Sequence, residues 1–93
     1  MTYRRDLERM TTLSSRDIGD ACRGDRLPGL INRCIDELLE LTELADEALS
    51  DDRIEEYLMY TQEVSAWRET AQLLRLMAAD ESLRGARNRR GAA

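Results

Sequence analysis

The chain has no His, no Phe and no Lys, a single Pro and only two Cys in its 93 residues. Each absence narrows the chemistry. Without His the chain lacks the commonest general base and the commonest transition-metal ligand. Cys22 and Cys34 are too few for a disulfide framework, and neither has a His partner for nucleophilic work. No run of about 18 apolar residues could cross a bilayer and no stretch resembles a signal peptide, so a cytoplasmic protein with no membrane contact is expected. All 14 cations are Arg, which reads as codon bias rather than chemistry. Between Leu30 and Arg84 there is neither Gly nor Pro, so that span contains no strong helix breaker.

What is present is helical periodicity. From about 28 to 49, Ile31, Cys34, Leu38, Leu41, Ala45 and Ala48 recur in steps of three and four, and Leu30, Ile35, Leu39, Leu44 and Leu49 widen this seam beyond what one neighbour could cover. From about 51 to 84 the seam is Tyr57, Tyr60, Val64, Trp67, Ala71, Leu74 and Ala78, preceded by Ile54. Ser50 is suited to cap the second of these helices, with Asp51 and Asp52 in its first turn. The two form a long antiparallel hairpin. At 1.5 Å per residue the second helix outruns the first by several turns, leaving Leu73, Leu74, Met77 and Ala78 in need of cover.

The N-terminal third offers that cover. Tyr3, Leu7, Met10 and Leu13 are spaced for one short amphipathic helix, and Ser14 with Asp17 forms a capping pair for another, burying Ile18 and Ala21. Gly24 and Pro28-Gly29 mark the loop that follows. The expected fold is all-α: a small helical bundle over residues 1–84, followed by an Arg-rich flexible tail over 85–93. A second copy of the chain is the competing cover, so a homo-oligomer is also expected.

Charge is segregated. Residues 1–33 hold seven Arg and five acids, residues 34–63 one Arg and eleven acids, and residues 64–93 six Arg and three acids. A hairpin bent near Ser50 gathers the acids at its turn. Asp36, Glu40, Glu43 and Glu47 form a self-repelling row, and Asp51, Asp52, Glu55 and Glu56 extend it. Such a face solubilises a small protein, and it also suits a protein partner with a basic surface.

Other chemistries have weaker support. Tyr57, Tyr60 and Trp67 with Arg53 and Arg68 could stack and hold a nucleotide between chains of an oligomer. Their place on the seam favours core packing. Arg84, Arg87, Arg89 and Arg90 could reach nucleic acid, but no aromatics are interleaved with them. Glu37-x-x-Glu40, Glu43-x-x-Asp46 and Glu55-Glu56 resemble the Mg²⁺-holding carboxylates of all-α nucleotide pyrophosphohydrolases of the MazG type. The second Glu-x-x-Asp pair of that family is missing, since Met59 stands three residues after Glu56. Neither a metal site nor a cofactor is expected. The sequence therefore points to a non-enzymatic interaction protein, an adaptor, chaperone-like factor or inhibitor, similar in size and charge to phage-encoded inhibitors.

Overall fold

The computed structural model describes the backbone of residues 3–92 and the side chains of residues 3–83. It contains four helices, α1 (Tyr3–Met10), α2 (Ser15–Cys22), α3 (Leu27–Ser50) and α4 (Ile54–Ala92), and no strand among the described residues. The bundle is all-α, with α3 and α4 packed as a hairpin and α1 and α2 folded back on one end.

Local chemistry sets the ends. The Ser14 hydroxyl accepts the Asp17 N–H at 3.1 Å, capping α2 as the spacing implies. The far end of α2 closes on Gly24, whose φ of +77° is the left-handed conformation glycine adopts without steric cost. Its N–H donates to Ala21 O at 3.0 Å and that of Asp25 to Asp20 O at 2.8 Å, the paired bonds of a Schellman ending.

The hairpin turn uses the same device, and here the expectation for Ser50 fails. Ser50 is the last residue of α3 rather than the cap of α4. The reversal is made by Asp51, Asp52 and Arg53, with Asp52 at φ +59° where a glycine is commonest. The Asp52 N–H donates to Leu49 O at 3.2 Å and the Arg53 N–H to Ala48 O at 2.8 Å, so carbonyls that the end of α3 leaves open are satisfied within the turn. At its other end, α4 runs on through Gly85. A single Gly costs only about 1 kcal/mol in a helix interior, and Ala86 and Arg87 beyond it are good helix formers.

The core is concentrated at the open end of the hairpin. Leu7, Leu13, Ile18 and Ala21 of the N-terminal segment pack with Leu27, Leu30 and Cys34 of α3 and with Ala71, Leu74 and Met77 of α4. Half-buried Leu73 and Ala78 pack against this cluster, so the residues that needed cover receive it from the chain's own N-terminal helices. Thr70, fully buried, places its hydroxyl 2.6 Å from that of Thr12 and donates to Ala66 O at 2.8 Å. Tyr3 donates to Asp80 Oδ2 at 2.6 Å, tying the start of α1 to α4.

Toward the turn the bundle thins to two helices. Beyond Cys34 the buried residues of α3 are Leu41, Ala45 and Ala48, facing half-buried Tyr57, Tyr60 and Val64. The result is an elongated body of 62 × 20 × 16 Å, a four-helix base from which α3 and α4 project as a paired arm.

Candidate protein-interaction surface

The acidic residues singled out in the sequence all lie on the arm or its tip. Asp36, Glu40, Glu43 and Glu47 are exposed along the side of α3 turned away from α4. Asp51, Asp52 and Glu55 are exposed at the tip, and Glu56 is half-buried. Arg53 donates to Glu56 and, at 3.4 Å, to Asp51. Among the described residues, Asp36, Glu40, Glu43, Glu47, Asp52 and Glu55 take part in no ion pair.

At the base the balance is different. Asp17 and Asp20, both buried, receive three arginines: Arg33 donates to Asp17 at 2.8 Å, Arg26 to Asp20 at 2.6 Å, and Arg23 also to Asp20. The arginines at the base are therefore partly neutralised within the fold, while the acidic arm keeps its charge.

The aromatic set is not brought together around a cavity. Tyr57, Tyr60 and Trp67 are half-buried along the seam of the hairpin, Arg53 is held at the turn, and Arg68 is exposed. Trp67 lies under the Arg33 guanidinium, whose carbon is 5.9 Å from the ring centroid. Among the described residues, one cavity of about 320 Å³ is lined by Tyr3, Arg4, Cys22, Leu27, Met77 and neighbours. Another, of about 360 Å³, lies between α1 and α4. None of the three aromatics lines either. The Arg-rich tail, with Arg84, Arg87, Arg89 and Arg90, lies outside the described side chains.

The structure reveals a further feature that sequence periodicity had absorbed into the seam. In an antiparallel hairpin the residues one position C-terminal to each seam residue fall on the same side of both helices, at 100° per residue. Here that side carries Ile35, Leu39 and Leu49 of α3 and Ile54, Leu58 and Leu83 of α4, with Thr42, Asp46, Thr61, Arg68 and Arg75 among them, whereas Leu76 lines the cavity against α1. The six apolar ones are among the eight large hydrophobic residues exposed among the described ones, Met59 and Leu76 being the others. Thr70 and Arg33, which meet the N-terminal segment, lie on the opposite side. The side away from α1 and α2 is consequently bare, apolar at Ile35 and Leu39 and again at Leu49, Ile54 and Leu58, with Thr42, Asp46, Thr61 and Ser65 between. Leu39 is 62% and Leu58 54% exposed, well beyond what a covered seam allows.

Among the described residues no group of three His, Cys, Asp or Glu is arranged to hold a metal ion, and no helix is long and apolar enough to cross a membrane. The carboxylates resembling the pyrophosphohydrolase set are spread over the outside of the arm. Cys34 is buried, which pushes its thiol up to about 11, whereas Cys22 is exposed.

A helical hairpin with a bare arm, braced at one end by two short helices, defines a small all-α module. The family profile of the TY-Chap C-terminal domain (Chap-C) matches residues 1–80, and the chain belongs to that family. The match spans all four helices up to the part of α4 that the N-terminal segment covers. Comparisons with curated proteins and with solved structures gave no match.

Proposed function

We propose that this chain is a non-catalytic, chaperone-type interaction domain that holds a protein partner on its hairpin arm through a basic surface of that partner. The observation that carries this reading is the row of exposed, unpaired carboxylates, Asp36, Glu40, Glu43 and Glu47, standing beside the acidic tip at Asp51, Asp52, Glu55 and Glu56. Like charges one turn apart cost the isolated helix a few tenths of a kcal/mol each. A cationic partner converts that cost into attraction and faster encounter. Membership of a chaperone domain family supports a protein as the partner. Self-association has less support, because the apolar end that called for a second copy is covered by α1 and α2.

The test uses two client proteins of opposite charge, reduced lysozyme (basic) and reduced α-lactalbumin (acidic). The domain slows aggregation of the first and leaves the second unaffected. The variant Glu40→Arg/Glu43→Arg/Glu47→Arg, with unchanged helical circular dichroism, loses that protection. Full protection by the triple variant would show that the acidic row is not the binding surface.

A further inference from the structure

The geometry points to the bare side of the hairpin arm as the docking site for a basic amphipathic helix, laid lengthwise over Ile35, Leu39, Leu49, Ile54 and Leu58. This rests on the protein-binding reading above and specifies what the bound segment looks like. The five side chains are exposed, lie on one side of two parallel axes, and are not part of the core that α1 and α2 close, whose bonds to Thr70 and Arg33 lie on the other side. From Ile35 to Leu49 the stripe runs about 21 Å along α3, the length of a helix of about 14 residues. Two adjacent helices present a shallow groove between their ridges, and a third helix seats in it by its apolar face.

Charge selects the occupant. The helix positions beside the stripe carry Asp46, with Asp36 and Glu43 on the outer edge of α3 and Glu55 on the outer edge of α4, all exposed. The exposed Arg68 stands at the base end, about level with Ile35. A helix with Leu or Ile along one face and Lys or Arg on its flanks buries the stripe and meets these carboxylates. A second copy of the arm would bring the same acidic edges against each other, and residues 34–63 carry eleven acids against one Arg. An acidic or uncharged helix would leave the carboxylates partly desolvated without partners.

The probe is a fluorescent synthetic peptide of about 14 residues, Leu on one face and Arg on the other, titrated with the full chain and followed by anisotropy. Two controls have a scrambled order of the same residues and Glu in place of Arg. The ordered basic peptide is expected to bind saturably, more weakly at high salt, and the controls to bind little. Leu39→Gln/Leu58→Gln replaces two exposed side chains and is expected to weaken binding at least about tenfold with unchanged thermal melt. Unchanged peptide affinity in that variant overturns the docking site. The protein-binding reading survives that result if the Glu40/Glu43/Glu47 reversal still abolishes lysozyme protection, and falls separately if it does not. Equal binding of the scrambled or Glu peptide overturns the proposed chemistry. A wild-type dimer by light scattering that the double Gln variant splits to monomers makes a second copy the occupant, and overturns it too.

Discussion

Arg33 on α3 donates to Asp17 on α2 at 2.8 Å, joining two elements separated by 16 positions in the chain. The same guanidinium lies over Trp67 of α4, so one side chain of α3 reaches two other helices. Asp17 is also approached by Arg26 at 3.6 Å, and its backbone N–H completes the cap on Ser14. It is the point at which the short helices are fastened to the hairpin base.

Replacing Asp17 should therefore cost more than a surface ion pair. Its carboxylate is buried, but Arg33 and Arg26 are half-exposed and regain water when the partner is lost. Asp17→Ala is expected to destabilise by about 1–2 kcal/mol in urea unfolding, and Asp17→Asn by less. A change within about 0.3 kcal/mol for Asp17→Ala would reduce the cluster to surface decoration.

The Thr12 and Thr70 hydroxyls provide a second long-range tie, and they should be energetically coupled. Thr70 is fully buried, so Thr70→Val keeps its shape while leaving Thr12 without its partner, at a cost of about 1 kcal/mol. The double variant Thr12→Ala/Thr70→Val should then cost less than the two single changes added together. Strict additivity would mean that the two hydroxyls do not act as a pair.

How much of this was legible depends on the range of the interaction. The hairpin could be read because Leu41, Ala45 and Ala48 on one helix, and Tyr60, Val64 and Trp67 on the next, repeat at local spacings with no breaker between them. The need to cover Leu74 and Met77 followed from helix lengths, but the choice between α1 with α2 and a second chain did not. Ser50 misled because Ser is a strong N-cap, whereas the competing signal is that Asp tolerates positive φ and could close α3 at Asp52. The Asp17–Arg33 contact has no periodic signature at all. The docking stripe was hidden for another reason: Leu39 and Leu49 look like extra seam until one knows which side α1 and α2 occupy.

At the turn, Asp52 performs with φ +59° a task for which glycine is better suited. Asp52→Gly is expected to raise stability by about 0.5 kcal/mol, relief of the left-handed conformation outweighing the added freedom of the unfolded chain. Asp52→Val, β-branched at the same φ, should destabilise by about 1–2 kcal/mol. Equal stability of the two variants in chemical denaturation would contradict a Schellman closure at this residue.

Cys34 reports on the base from within. Its side chain is fully buried beside Leu30, Ala71 and Leu74, and burial raises the thiol from 9.0 to about 11. The folded state therefore holds the proton at pH values where the unfolded thiol has released it. Stability associated with Cys34 is complete below about 9 and is lost as pH climbs toward about 11. The difference in unfolding free energy between the wild type and Cys34→Ala should shrink across that window, and a constant difference would show that the thiol titrates alike in both states. At neutral pH an alkylating reagent should modify exposed Cys22 rapidly and Cys34 only when the base opens. Leu7→Ala, which removes a fully buried side chain that α1 contributes to the same cluster, should cost about 2–5 kcal/mol. It should accelerate Cys34 labelling far more than Cys22 labelling, because the short helices are what keep reagent away from α3.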